Sequence, residues 1–528
     1  MMHRNAALTA ALTDATEDRI VFDLGGIEAR YDSLLEELPG VAVRFAMKAC
    51  PLDEVLSCLA RRGSGIDAAS PQEIAQAMAA GVPPERIHYG NPVKSDRDIA
   101  DAHRLGVRLF ATDSPEDVAA IARHAPGSRV FCRLATDGGG ALWGLSEKFG
   151  CSADDAVRVL RAARDAGLTP SGLSVHVGSQ QMTTEAWQRA FDELTGVLEA
   201  LAGQGVALDH VNLGGGLPAL GYLDRHGDPF DPPVDKMFAA VRDGMERCAG
   251  VPGHRLGFVV EPGRHLVADH GAVRAHVARL STRRGADGEV RRWLYLSCGK
   301  FNGLYEMDDV RYPLVFPTHP SGPRVPATVA GPTCDSADTH APGPVMVPED
   351  LRSGDPVWVL SSGAYAPLGL SEEPAALRSR ARSSPATCFV LDGGPRLAGY
   401  LLALPYPESA FPDLARAEAT VFRSRNLHLH DLVVAEDLRG RGLGRRLLHH
   451  LTATARSSGY AEISLVAVGG SDTFWSANGF TAHEDQVPGE GYGVNPVYMS
   501  RAVLADRAGD PHPASGPLRG WTTQHEVG

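Results

Sequence analysis

Eight times between residues 25 and 265 a short apolar, often β-branched run gives way to an amphipathic helical stretch. Runs at 41–46, 65–68, 86–89, 108–111, 130–134, 173–177, 210–213 and 257–260 read as strands. Stretches at 52–61, 71–80, 115–123, 153–166 and 186–202 read as helices between them. Eight strand–helix units over roughly 240 residues favour a closed (β/α)8 barrel over a doubly wound open sheet. The chain is therefore α/β over this part.

The rhythm then stops. Residues 266–370 offer β-rich segments at 272–280, 292–297, 324–329 and 355–360, the pattern of a separate β domain that residues 1–24 are expected to join. Residues 371–386 are polar and Pro-flanked and read as a linker. Residues 387–503 form a further α+β unit. It has a hairpin around Gly393-Gly394, strands at 427–434 and 462–468, and helices at 442–457 and 472–477. Residues 504–528 are rich in Pro, Gly, His and Asp and are expected to be disordered.

With 528 residues, two or three domains are expected. A net charge of −13 disfavours general binding to nucleic acid or anionic membranes and suits an enzyme acting on small molecules. The eight cysteines form no Cys-x-x-Cys pair and read as reduced thiols, with no metal site expected. No run approaches the ~20 apolar residues of a membrane helix. The Ala/Leu stretch at 6–12 is a poor signal peptide, because Asp14, Glu17 and Asp18 follow at once. A cytoplasmic location is the expectation.

Arg44-Phe45-Ala46-Met47-Lys48-Ala49 puts a lysine at a strand end, where barrel active sites gather. The segment from Gly172 to Gln180 carries His176 and Ser179. Asn212-Leu213-Gly214-Gly215-Gly216 follows a strand, and three glycines let backbone N–H groups approach a phosphate closely. Glu261-Pro262-Gly263-Arg264, Gly331-Pro332-Thr333-Cys334-Asp335 and Gly363-Ala364-Tyr365 come after it in order. Taken singly these are a surface charge, a core histidine and some turns. In this order the first 370 residues resemble the fold type III pyridoxal-phosphate decarboxylases, the group acting on ornithine, lysine, arginine and diaminopimelate. Alanine racemase shares their barrel.

The resemblance implies a set of roles. Lys48 is the Schiff-base lysine and later an acid or base. His176 stacks on the cofactor ring. Ser179, Gly214, Gly215, Gly216, Gly263, Arg264 and Tyr365 hold the phosphate. Glu261 keeps the pyridine nitrogen protonated, so that the ring is an electron sink. The racemase branch has an arginine there, so Glu261 argues for decarboxylation. Asp67 and Arg133 complete the cofactor set, and Lys148 pairs with a carboxylate of a neighbouring subunit. The loop of Cys334 and Asp335 enters the partner's site, which implies a head-to-tail homodimer. Cys334 then protonates the carbanionic carbon and Asp335 holds a distal cation, with Glu306 and Asp338 as further candidates. Cys-Asp leans toward ornithine or lysine. After Tyr365 the chain departs from the family: Ala366-Pro367-Leu368 replaces the usual Phe-Asn-Gly-Phe helix.

A second signature lies at Val433-Val434 and Arg439-Gly440-Arg441-Gly442-Leu443-Gly444-Arg445, a glycine loop between a strand and a helix. Successive N–H groups and the helix N-terminus can bind a pyrophosphate. No Gly-Lys-Ser/Thr follows, which excludes a Walker loop. This region resembles the GCN5-related N-acetyltransferases, implying acetyl-CoA as co-substrate. Trp475 stands where that family often has a tyrosine acid. Candidate bases are His428, His430 and Asp431. The combined expectation is a bifunctional enzyme that decarboxylates ornithine or lysine and acetylates the resulting amine, a polyamine chemistry. The alternative is decarboxylation of a larger diamino-acid conjugate in siderophore or antibiotic assembly, with a non-catalytic or separately acting acetyltransferase unit.

Overall fold

The computed structural model describes residues 6–145, 147–285, 288–301, 303–333, 335–340, 343–365, 374–392, 397–412, 421–434, 438, 441–468, 471–483, 486, 496–503 and 518–520. The chain divides into two compact units, Met1–Pro367 and Leu368–Gly528.

In the first unit, β1 (Arg19–Phe22) precedes a barrel. Its strands are β2 (Val41–Ala46), β3 (Gly65–Ala68), β4 (Ile87–Tyr89), β5 (Leu109–Thr112), β6 (Arg129–Arg133), β8 (Thr169–Ser174), β10 (His210–Asn212) and β11 (Gly257–Val260). They close in the order β10-β11-β2-β3-β4-β5-β6-β8, and every pair is parallel. A two-stranded ribbon, β7 (Ala141–Trp143) with β9 (Ser179–Gln181), sits in its loops. Parallel strands covered by helices are buried on both faces, which is why they read as nearly continuous apolar runs. Phe45, Ile66, Phe110, Val130, Leu173 and Val211 are fully buried.

Helix starts are set locally. Ser70, Ser95, Ser114 and Ser152 each accept a hydrogen bond from the backbone N–H three residues on, at 3.1–3.3 Å. Each sequence reads Ser-x-x-Glu or Ser-x-x-Asp, and satisfying an orphan N–H this way is worth about 1 kcal/mol per helix. Three of these serines lie two to six residues beyond a barrel strand, so the strand ends and their loops stay together at one rim.

The chain then enters a seven-stranded sheet of β12 (Gly271–Arg284), β13 (Val290–Leu296), β14 (Leu314–Val315), β15 (Arg324–Ala330), β16 (Val345–Pro348) and β17 (Pro356–Val359), ordered β14-β17-β12-β13-β15-β16. The seventh strand is β1, antiparallel to β12 from Arg19↔Arg274 to Phe22↔Gly271. This is an alanine-racemase-like barrel with its β domain.

The second unit holds β18 (Phe389–Asp392), β19 (Leu397–Pro405), β20 (Asn426–Val434), β21 (Glu462–Ala467), β22 (Thr481–Ala482), β23 (Val497–Ala502) and β24 (Leu518–Gly520), ordered β22-β23-β21-β20-β19-β18-β24. Among its described strands only β20 and β21 run parallel, joined through the helix Leu443–Ser457. Two stretches differ from expectation. Pro374–Ser383, within the expected linker, is a helix, consistent with its alanines, leucine and arginines being good helix formers. Leu518–Gly520, within the expected disordered tail, pairs with the edge strand β18. An edge strand offers an unpaired row of N–H and C=O groups, which explains the recruitment.

Candidate functional site

One cavity at the strand-end rim of the barrel is lined by Ala46, Lys48, Asp67, His176, Ser179, Gly215, Gly216, Leu217, Glu261, Gly263, Arg264 and Tyr365. Ten of the twelve residues expected to hold the cofactor therefore meet there. Lys48 lies in a 3-10 turn (Met47–Ala49) directly after β2, with its side chain open to the cavity. Burial would lower its pKa, but Asp67, Tyr365 and Glu261 outweigh that and hold the ammonium above the ordinary lysine range.

Asp67 on β3 and Glu261 after β11 converge on His88 of β4, a residue the sequence reading passed over. His88 Nε2 is 3.1 Å from Asp67 Oδ1 and 2.9 Å from Glu261 Oε1. Burial alone would raise the Asp67 carboxyl, yet His88, Lys48 and Arg133 bring it below the usual carboxylate range. Asn212 Nδ2 donates to Glu261 Oε1 at 2.5 Å, and Asn212 Oδ1 accepts the Gly214 N–H at 2.9 Å. The glycine loop thus fixes the amide that fixes the acid.

His176 lies past the end of β8, which stops at Ser174 and not at 177 as the sequence suggests. Its Nδ1 accepts the Gly178 N–H at 3.1 Å. Burial, with Arg133 and Lys48 nearby, pushes it down to about 3, so its ring is neutral. Gly214 has φ +64°, and a Cβ there would meet the Val175 carbonyl oxygen at 2.2 Å. Gly216 has φ +114°, with Val177 Cγ2 at 2.6 Å from any Cβ. Glycine is required at both.

Arg264 is 5% exposed and caged by aromatic rings: Trp143 at 4.2 Å, Tyr365 at 4.7 Å and Tyr222 at 5.6 Å from the guanidinium. It donates to Ser179 Oγ at 3.2 Å, to the Tyr222 hydroxyl at 2.9 Å and to both oxygens of Glu306. Glu306, expected at a substrate amine, is paired here with the arginine. Trp143 and Tyr222 were not singled out in the sequence. Nothing in an isolated aromatic marks it as a cage wall, though Trp143 lies five residues before Lys148.

Besides Glu306, four expected residues lie outside the cavity wall. Arg133 stacks over Phe149 at 5.0 Å. Gly214 is buried and does not line the cavity. Asp335 is exposed, accepting the Ala337 N–H at 2.8 Å. Asp338 is buried and accepts from Lys300 N, Thr333 N and Thr333 Oγ1 at 2.7–2.9 Å, stapling its own loop. Cys334 lies outside the described residues.

In the second unit the β20–β21 register runs from Asn426↔Glu462 to Leu429↔Leu465 and ends five residues before β20 does. Register also slips between β19 and β20 at His430. A wedge between parallel strands follows, with Val433 and Val434 on one side. At its head Gly442, at φ +76°, caps the helix Leu443–Ser457, which carries Gly444 and Arg445 in its first turn, with Arg441 just before it. Arg439 and Gly440 lie outside the described residues. Of the candidate bases, His428 is buried against Ser464 Oγ at 3.0 Å and burial pushes its pKa well down. Asp431 accepts from the Tyr400 hydroxyl at 2.7 Å. Trp475 donates to Ser471 Oγ at 3.2 Å and packs on Phe474 and Phe480.

Comparison with known proteins covers both units. Residues 24–268 match the pyridoxal-dependent decarboxylase family through its pyridoxal-binding domain, and residues 357–480 match the GNAT acetyltransferase family. The lysine/ornithine decarboxylase of Selenomonas ruminantium is 33% identical over 349 residues, 66% of this chain and 84% of that one. A crystal structure of SrLDC with PLP and cadaverine is similar at TM-score 0.60 and 30% identity, covering 68% of this chain and 88% of that one. The lysine/ornithine decarboxylase of Vibrio vulnificus, solved with putrescine, gives TM-score 0.59 at 27% identity, covering 68% and 92%.

Proposed function

From the chain's membership of the pyridoxal-dependent decarboxylase family, with a GNAT acetyltransferase domain fused behind it, we propose that it decarboxylates ornithine or lysine and acetylates the diamine produced. The convergence of ten expected residues on one cavity carries the first half. Relatives named for lysine and ornithine, and neighbours solved with putrescine and cadaverine, support the substrate class.

The cavity fits pyridoxal phosphate. Arg264 Nε is buried with no hydrogen-bond partner among the described residues, and Gly215 and Gly216 line the cavity without side chains, a Cβ on Gly215 standing only 3.3 Å from His176 Nε2. When bound, the cofactor supplies an electron sink for the pair left as the carboxylate departs. Ser179, the glycine loop and Arg264 form the anion clamp at one end, and Glu261 presents a carboxylate at the other. Lys48 lines the same cavity, protonated and able to give a proton at the reacting carbon. His176 offers a flat, neutral imidazole, which adds no repelling charge to a cationic ring. Glu306 is occupied by Arg264, so the exposed Asp335 is the acid available to reach a second copy's site. This favours a homodimer with shared sites.

For the second half, the wedge between β20 and β21 with a helix N-terminus at its head suits the pantetheine and pyrophosphate of acetyl-CoA. Fusion raises the local concentration of the freshly made amine.

The test supplies purified protein with pyridoxal phosphate, acetyl-CoA and labelled diamino acids, and identifies products by mass. Release of carbon dioxide from ornithine or lysine and appearance of an N-acetyl diamine are expected. Absence of carbon dioxide from every basic amino acid sinks the first half, and free diamine with no acetyl product sinks the second. Lys48→Ala should abolish decarboxylation and leave acetylation of added diamine intact.

A further inference from the structure

His88 is 1% exposed, and its ring lies against Phe131 at 5.1 Å. Its Nε2 meets two carboxylates at once, Asp67 of β3 at 3.1 Å and Glu261 just after β11 at 2.9 Å. Both carboxylates line the cavity and His88 does not. Ionised carboxylates only accept hydrogen bonds, so Nε2 must carry the proton that both share. Two partly buried carboxylates this close repel one another, and the donor between them offsets that repulsion. Asn212 meets the same Glu261 oxygen from the other side and is itself anchored by Gly214. Glu261 is thereby fixed by two donors, neither of which lines the cavity.

We propose that His88 is a positioning residue for the cofactor site. Its Nε2–H locks Asp67 and Glu261 into one arrangement and draws electron density from the Glu261 carboxylate. It therefore sets how firmly that carboxylate can hold a proton on the ring nitrogen of a bound pyridoxal compound. This rests on reading the cavity as the pyridoxal phosphate site. The chain tunes its electron sink from beneath, through a residue that never contacts cofactor or substrate.

The test compares full-length wild type with His88→Leu, His88→Gln and Glu261→Gln, alone and with His88→Leu. Cofactor affinity is measured by fluorescence quenching of the apo-protein, and the pH titration of the bound cofactor's visible absorption is recorded. His88→Leu is expected to weaken binding at least tenfold and to shift the absorption titration. His88→Gln, which restores an N–H at similar reach, should recover most of both. In the Glu261→Gln background, His88→Leu should no longer shift the titration. Unchanged affinity and titration in His88→Leu, or a shift of equal size with and without Glu261, overturns the proposal. Should His88→Leu fail to fold, His88→Gln decides: a folded glutamine variant with the affinity and titration of wild type supports a donor role, and one with altered titration overturns it. Failure of the wild type itself to bind pyridoxal phosphate would instead overturn the reading of the cavity.

Discussion

Single residues in the barrel cavity hold their chemistry through neighbours one step removed. Gly214 illustrates the cost of disturbing that step. Alanine there would need φ near +64° and would press on the Val175 carbonyl, so Gly214→Ala should lose on the order of 3 kcal/mol of stability. Thermal melts and a cofactor titration check this, with affinity falling because Asn212 loses its anchor. His176 gives a pH prediction. Its folded pKa is depressed to about 3 while the unfolded imidazole titrates near 6.5, so the unfolded state binds more protons in between. The stability this group contributes is present above about 6.5 and is lost as pH falls toward 3. His176→Asn should therefore flatten the decline of apo-protein melting temperature across that window. Lys48, the glycine loop and Glu261 were legible in the sequence because their order along the chain is informative. His88, Asn212, Trp143 and Tyr222 were not read as partners, because their roles arise only when β4, β10 and the loops close around the same space.

At the level of elements, the barrel strands were legible to within a residue or two, since each is a short apolar run between helices. The clear miss is β8. Val175 and Val177 continue its apolar run, but the backbone leaves the sheet after Ser174 and turns with Gly178 at φ +93°. That departure lifts His176 off the strand and aims it at the cavity. In the second unit the strand–loop–helix order was legible, but the early end of the β20–β21 pairing was not, because the residues beyond it are as apolar as those before. Gly442 caps the following helix in the left-handed region with open space around its Cβ position. Gly442→Ala should thus cost only the backbone strain, about 1–2 kcal/mol, and weaken acetyl-CoA binding by displacing the helix start. Calorimetric titration of acetyl-CoA reads the second effect separately from the first.

The whole molecule comprises two compact units with separate cores, one spanning barrel and β domain and the other centred on β20, β21 and the helix Leu443–Ser457. Ligands that bind only a folded unit stabilise that unit alone. Scanning calorimetry of the full chain should resolve two transitions, pyridoxal phosphate raising one and acetyl-CoA the other. A single transition raised by both ligands would contradict separate cores. Chain order adds a constraint of another kind. The strand β1 emerges early, but its partner β12 lies 255 residues later, counting from Arg19 to Arg274. At roughly 5–20 residues per second of synthesis, β1 waits on the order of tens of seconds for its hydrogen bonds. Every barrel strand is made in that interval, so the barrel can close while the first strand of the chain still hangs unpaired. The β domain is then sealed last across the longest loop in the unit, and a stall in translation anywhere between would leave a finished barrel trailing an open, sticky edge.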